Sequence, residues 1–385
     1  MVNEFLPFSK PCISSNAINE VVDCLQSGWI TTGPRVKRFE MALQRYFETE
    51  HALTLSSATA GLHLALLALD LKPGDEVITT PMTFIATLNT IVLAGGKPVL
   101  ADVDLETRNI NVEMVTHAVT SHTRAIVPVH FAGLPVNLDP LYELAQAHGL
   151  RVIEDAAHAI GAEFMGSRIG AFGDIQVFSF HPNKNMTTGE GGCVTTRDSK
   201  LAERISLLRF HGIDREAWDR FGKTGSQHYE IAFPGFKYNM MDIQAAIGLH
   251  QLAQLEQAIE RRTELALRYR RHLKDWPQWS LPVEANYPNK HAWHLFAPLL
   301  NPDAAGMHRD DFMMEMKKRN IGTGLHYSAA HLYQYYRDHF GYEKGDFPNA
   351  EFISDRIVSL PLFPAMTDDD QDRVIFAMAE LFKGL

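Results

Sequence analysis

The sequence predicts an α/β fold, a mostly parallel sheet with helices on both faces, followed by a smaller α+β domain. Three observations predict it. Between about residues 50 and 200, short apolar runs alternate with helix-period segments, the pattern of successive β-α units whose strands run parallel. From Met241 to His272 the pattern changes to one long helix, with Ile243, Ile247, Leu252, Leu255 and Ile259 at three- to four-residue spacing. Beyond "DWPQWSLP" (275–282), whose prolines cannot continue a helix, the remainder reads as a small mixed domain. The expected division is 1–250 for the large domain with its N-terminal segment, and 251–385 for the linking helix and the C-terminal domain.

The elements follow in order. "HALTLSS" (51–57) is a strand leading into the helical "ATAGLHLALLALDL" (58–71), and "DEVITT" (75–80) leads into "TFIATLNTIVLAGG" (83–96). "KPVLADV" (97–103), "RAIVPVHF" (124–131) and "RVIEDAA" (151–157) are further β-rich runs, with "LDPLYELAQAHG" (138–149) a helix between the last two. "DIQVFSF" (174–180) and "GGCVTTR" (191–197) complete the strand set. Residues 79–96 carry no charge, but five threonines, Asn89, Pro81 and two glycines make them a buried strand-turn-helix and not a membrane span.

Composition narrows the function. The 385 residues are 45% hydrophobic and 21% charged, an ordinary globular balance with enough apolar content for a large core. A net charge of −10 without any Lys/Arg-rich run argues against nucleic acid as a partner. Anionic small molecules stay open, because a few cations and helix N-termini can hold a phosphate. Cys12, Cys24 and Cys193 are scattered and odd in number, so neither a disulfide framework nor a metal spacing emerges. With no apolar leader in "MVNEFLPFSK", the expected location is the reducing cytoplasm, without a membrane partner.

In a doubly wound sheet, ligands bind at the carboxyl ends of the strands. After the first strand come Ala58, Thr59, Ala60 and Gly61, small residues opening a helix: an anion site, or a plain N-cap. Phe84 follows the second strand, as a stacking platform for a flat ligand or as core. Glu154, Asp155 and His158 follow "RVI"; an acid there can hold a cationic ring nitrogen, or with His158 a metal, and the small Ala156-Ala157 pair leaves room for something flat. In "VFSFHPNKNMTTGEGG" (177–192), Ser179 can reach a phosphate, and Lys184 sits on a tight turn between Pro182 and three glycines. A desolvated lysine there is a candidate for Schiff-base chemistry. Phosphate cradle, ring platform, ring acid and amine together are what pyridoxal phosphate needs.

These residues stand in long motifs: "SGWITTGPRVKRFE" (27–40), "SSATAGLHLAL" (56–66), "EDAAHAIGA" (154–162), "FSFHPNKNMTTGEGG" (178–192), "GFKYNMMDIQAAIGLHQL" (235–252), "IGTGLHYSAAH" (321–331) and "SLPLFPAMT" (359–367). In them the chain resembles the DegT/DnrJ/EryC1/StrS sugar aminotransferases, fold-type I pyridoxal-phosphate enzymes, over nearly its whole length. Through "EFLPFSKP", "HAWHLF" and "GTGLH" it is most similar to the branch of UDP-4-amino-4-deoxy-L-arabinose–oxoglutarate aminotransferases. The resemblance implies a seven-stranded mixed sheet, a pyridoxal 5'-phosphate cofactor, and a homodimer with shared active sites. It implies transfer of an amino group from L-glutamate, released as 2-oxoglutarate, to a nucleotide-linked keto-sugar such as a UDP-4-keto-pentose.

By the same resemblance, Lys184 is the cofactor-linked lysine and moves protons, Asp155 pairs with the pyridine nitrogen, and His158 lies near the phenolic oxygen. Phe84 stacks on the ring, while Ala58, Thr59 and Ser179 hold the phosphate. Asn239 reaches that phosphate across the dimer interface. Trp29, Thr31, His326 and Tyr327 serve the sugar nucleotide. Two positions depart from that branch: Phe84 replaces Trp, and Ser328 replaces Arg after "LHY". The lost Arg brings a 4-keto-6-deoxyhexose nucleotide, UDP- or dTDP-linked, into competition with the pentose. Three rivals carry less. Sugar dehydratases of this fold replace the lysine with histidine; a non-catalytic regulator binding the cofactor or a sugar nucleotide has no need of the Asp155, His158 and Lys184 set. A metal hydrolase would use His158 with His291 and His294.

Overall fold

The computed structural model describes residues 4–213 and 230–383. The strands between residues 50 and 200 are β1 (His51–Leu55), β2 (Glu76–Thr79), β3 (Lys97–Leu100), β4 (Thr123–Val127), β5 (Arg151–Asp155), the short β6 (Glu163–Phe164) and β7 (Ser167–Arg168), β8 (Ile175–Ser179) and β9 (Gly192–Thr196). Seven of them form one sheet in the order β1-β9-β8-β5-β4-β2-β3. β9 runs against both of its neighbours, and the other contacts in the row from β8 to β3 are parallel. The expected α/β class with a mostly parallel sheet is therefore the observed one.

Side chains alternate across this sheet, as the pleat requires. Val77, Val127, Ile153, Val177 and Val194 join Leu62, Leu64 and Ile205 in one core. Their neighbours Ile78, Ile126, Val152, Phe178 and Cys193 join Phe39, Phe47 and Leu141 in another. Both faces are thus covered by helices, and the carboxyl ends of β1, β2, β4, β5 and β8 open on a shared edge.

The long helix expected over 241–272 is two helices, Asp242–Ala253 and Leu255–Leu273, with Gln254 at φ −106° and ψ 0° between them. No Pro or Gly marks this break, so the apolar spacing reads straight through it. The buried face of the first helix also differs from the expected one. Asp242, Ala245, Ala246 and Gly248 are buried, while Ile243 and Ile247 are half-buried. Asp242 is more than a helix start: its fully buried carboxylate accepts from the Val36 N–H (2.9 Å) and the Arg35 N–H (3.1 Å), capping the Pro34–Phe47 helix.

The second helix joins the two parts of the chain. Its Leu255 and Ile259 belong to the sheet core, and its Leu265, Tyr269 and Leu273 to a separate core with Phe296, Phe312, Val374 and Met378. Leu6 enters that second core and pairs with Ile321, so the N-terminal segment packs against the C-terminal part. Among the described residues no helix is long and apolar enough to cross a membrane.

Candidate active site

The strand ends build a cleft of about 530 Å³ whose walls include Ala58, Thr59, Phe84, Asp155, His158, Ser179, Lys184, His326 and Tyr327. Nine of the expected site residues therefore meet in one place. Asn239, Trp29 and Thr31 stand apart from it within a single chain. Asn239 pairs with Leu55 and hydrogen-bonds Thr32, the Trp29 indole N–H donates to the Thr32 carbonyl (3.1 Å), and the Thr31 carbonyl accepts from the Asp242 N–H (3.2 Å).

The Ala58–Leu67 helix starts directly at the end of β1. Ser57 caps it, its hydroxyl accepting from Ala60 N–H (3.0 Å) and its carbonyl accepting from Gly61 N–H (3.2 Å). That leaves the first-turn N–H groups of Ala58 and Thr59 as the donors without an intrahelical partner. Gly192 on β9 lies against this turn: a Cβ there would come within 2.6 Å of the Ala58 nitrogen and 2.8 Å of the Phe178 carbonyl oxygen. Only glycine permits that approach. The lysine turn is knotted by backbone bonds, Lys184 N–H to His181 carbonyl (2.9 Å), Phe180 N–H to Gly191 carbonyl (2.9 Å) and Thr188 N–H to Phe180 carbonyl (3.0 Å). Gly189 takes φ +83° within it.

Burial lowers the Lys184 ammonium to about 8, with the Asp155 charge acting in the opposite sense. Burial pushes the Asp155 carboxyl up, and four groups oppose it: the Thr87 hydroxyl (2.8 Å), the Ala157 N–H (3.2 Å), Lys184 and His130. His158 is held well below its ordinary value, first by burial and then by Lys184, so its ring is neutral. Its Nδ1 accepts from the Ala132 N–H (3.2 Å), which places the ring proton on Nε2, 2.9 Å from the Tyr327 hydroxyl. The tautomer follows from these partners. His326 is lowered to about 3 by burial and Lys184, and its Nδ1 lies 2.8 Å from the Ser359 hydroxyl.

Phe84 is 59% exposed and its ring centroid is 6.1 Å from that of Tyr327, so it faces the cleft and is not core. Ser328 also lines the cleft. The three histidines of the metal reading do not converge. His158 has both ring nitrogens engaged, while the His291 ring stacks on that of Trp293 at 3.9 Å and its Nδ1 accepts from the Trp293 backbone N–H (2.8 Å). His294 is buried, its ring 4.3 Å from that of His158. Among the described residues no three His, Cys, Asp or Glu side chains are grouped to hold a metal.

Sequence reasoning passed over Thr83 and Thr87, four residues apart around the start of the Ala86–Leu93 helix. Their signal was faint: two hydroxyls one helical turn apart, on either side of a candidate platform. It also passed over Glu190 and Tyr333, which line the same cleft.

Comparison with known proteins gives a consistent result. The sequence model of the DegT/DnrJ/EryC1/StrS aminotransferase family matches residues 11–379. The spore coat polysaccharide biosynthesis protein SpsC of Bacillus subtilis is 44% identical over 383 residues, 99% of this chain and 98% of its own. Among solved structures, PseC of Helicobacter pylori, an aminotransferase involved in the biosynthesis of pseudoaminic acid, superposes with a TM-score of 0.91 at 30% identity, covering 99% of this chain and 100% of its own. The Spr1654 protein of Streptococcus pneumoniae in its PLP form gives a TM-score of 0.90 at 30% identity, covering 99% of each chain.

Proposed function

Because this chain belongs to the DegT/DnrJ/EryC1/StrS aminotransferase family, we propose that it transfers the amino group of L-glutamate to the keto carbon, C4, of a nucleotide-linked sugar, with pyridoxal 5'-phosphate as cofactor. The observation that carries the reading is a buried carboxylate, Asp155, and a lysine of lowered basicity, Lys184, facing one cleft beside a helix N-terminus.

The residues present fit the cofactor. The N–H groups of Ala58 and Thr59 and the Ser179 hydroxyl would take its phosphate, and Gly192 keeps the wall behind them clear of a side chain. Phe84 would cover one face of the ring, and neutral His158, whose Nε2 proton goes to the Tyr327 hydroxyl, would lie beside the ring's phenolic oxygen. When bound, pyridoxal phosphate supplies an electron sink for the carbanion formed at the donor's Cα. Asp155 favours the sink by holding a proton on the ring nitrogen, which its ionised carboxylate does best. Lys184 Nζ, as the free amine, takes the Cα proton of the donor and later delivers a proton to C4 of the sugar. Its lowered basicity suits both tasks near neutral pH.

Asn239, Trp29 and Thr31 lie outside the cleft of their own chain, which favours a homodimer in which Asn239 of the partner subunit reaches the phosphate and the Trp29–Thr31 segment borders the sugar nucleotide. His326 and Tyr327 would contact the sugar from within the chain. The substrate is a UDP-4-keto-pentose, or a UDP- or dTDP-4-keto-6-deoxyhexose; Ser328, where the pentose branch carries Arg, favours the second. The likeness to SpsC, a spore coat polysaccharide biosynthesis protein, favours a product that enters a polysaccharide. The test is to load the amine form of the protein with a panel of 4-keto-sugar nucleotides and follow which one restores the aldehyde-form spectrum. Restoration by one of them supports the reading, and restoration by none overturns it.

A further inference from the structure

Asp155 is 5% exposed, and behind it stand two further buried groups, Thr87 (1%) and Thr83 (2%). The Thr87 hydroxyl lies 2.8 Å from Asp155 Oδ2 and 2.7 Å from the Thr83 hydroxyl. The proton order follows from the chemistry. The Thr87 hydroxyl has two acceptors within reach, Asp155 Oδ2 at 2.8 Å and the Phe84 carbonyl at 3.2 Å. An ionised carboxylate only accepts and is the nearer and stronger of the two, so the single Thr87 proton goes to Asp155. Thr83 must then be the donor to Thr87. The result is a directed chain, Thr83 to Thr87 to Asp155, ending on the carboxylate that would face the ring nitrogen.

The chain also crosses the turn that carries Phe84. Thr83 precedes Phe84, and the Phe84 carbonyl accepts from the Thr87 N–H at 3.1 Å. Thr83 and Phe84 both line the cleft, as does Asp155. A single hydroxyl, that of Thr87, therefore touches the acid from the segment that presents the ring platform.

We infer that Thr87, backed by Thr83, is a positioning residue that orients the Asp155 carboxylate, preserves its charge and ties it to the Phe84 turn. The inference rests on the reading of Asp155 as the partner of the ring nitrogen. Other groups act on Asp155 as well: Lys184 from the turn after β8, His130 beyond β4, the Ala157 N–H from its own strand end, and the Tyr327 hydroxyl, which feels its charge. Of these only Tyr327 also touches the platform, ring to ring at 6.1 Å, and none gives Asp155 a hydrogen bond from the segment that carries Phe84, so Thr87 is the separable element. Val in its place keeps the shape and removes the donor.

The experiment compares Thr87→Val, Thr87→Ser, Thr83→Val and Asp155→Ala proteins, each titrated with pyridoxal phosphate and scanned by absorbance against pH. With a less anionic Asp155 the ring nitrogen loses its proton more readily and withdraws fewer electrons. The nitrogen joined to Lys184 then keeps its proton to higher pH. Thr87→Val is expected to move the absorbance midpoint up by about one pH unit and to weaken cofactor binding by about tenfold, the size of a hydrogen bond to a charged group. Thr87→Ser should return to wild type, and Thr83→Val should move the same way by less. Wild-type midpoints in Thr87→Val, alongside a shifted Asp155→Ala, overturn the relay alone; an unshifted Asp155→Ala overturns the reading of Asp155 and the relay with it. Should Thr87→Val fail to fold, Thr83→Val decides, since wild-type behaviour there contradicts the chain.

Discussion

The Tyr327 hydroxyl and His158 Nε2 stand 2.9 Å apart, and because His158 Nδ1 accepts from Ala132, the hydroxyl receives the imidazole proton and keeps its own to donate into the cleft. Tyr327→Phe removes that donor while leaving the ring. It should lower kcat/KM for the sugar substrate by about tenfold, as the loss of one hydrogen bond in a desolvated site does, with folding intact. Steady-state kinetics with circular dichroism checks it, and an unchanged kcat/KM removes Tyr327 from the site.

Lys184 is held at about 8 by burial, against an ordinary value near 10.5. The folded apoprotein therefore holds this proton less tightly than the unfolded chain. The destabilising effect is fully present below the folded value and is relieved as pH rises from about 8 to 10.5. Lys184→Met should stabilise the apoprotein at pH 7 by up to about 3 kcal/mol, a gain that shrinks above pH 8. Urea unfolding of both proteins across that range measures it, and a gain that grows with pH contradicts the assignment.

Phe84 is exposed to the cleft and so is free to cover a flat ligand. Phe84→Ala should weaken cofactor binding about tenfold, since an aromatic pair contributes roughly 0.5–1.5 kcal/mol beyond its area. Phe84→Trp should bind as wild type does. Equal affinities for the Ala and Trp proteins, read from cofactor fluorescence, would make Phe84 a bystander.

Gly192 lies against the Ala58 turn, the proposed phosphate end of the cleft. Gly192→Ala puts a Cβ within 2.6 Å of the Ala58 nitrogen, and backbone has to move to admit it. Cofactor affinity should fall with little change in KM for glutamate, measured by titration and kinetics. An unaltered titration would place the phosphate elsewhere.

Asp242 is buried at 0% exposure beneath the Trp29–Gly33 segment, with both oxygens on the Arg35 and Val36 N–H groups. Asp242→Ala should cost about 1–3 kcal/mol, the penalty for orphaned buried donors, and should raise KM for the sugar nucleotide through the loosened segment. Denaturation and kinetics together test it; a stability loss without any KM change would separate that segment from substrate.

Much of this site could be read from the sequence because strand ends in a parallel sheet are places of known chemistry. Asp155, Lys184, Phe84 and the Ala58 turn each follow an apolar run, and the pleat fixes which edge they share. The break at Gln254 was hidden because the apolar spacing continues across it without Pro or Gly. The buried face of the Asp242–Ala253 helix was misread because Ala and Gly, not Ile, fill the closest contacts. Asp242 and the Thr83–Thr87 pair were missed for another reason. What they do depends on partners far apart in the chain, 206 residues for Asp242 and Val36 and 68 for Thr87 and Asp155, and no local pattern announces such a pair.

The central claim is that Lys184 is the amine that binds the cofactor covalently and moves the protons of transfer. The most direct measurement is the visible spectrum and the glutamate-dependent turnover of a Lys184→Ala protein supplied with pyridoxal phosphate and a 4-keto-sugar nucleotide. The account predicts no protein-linked chromophore and no turnover, with the fold preserved. A Lys184→Ala protein that still forms that chromophore, or still converts glutamate to 2-oxoglutarate, would contradict it.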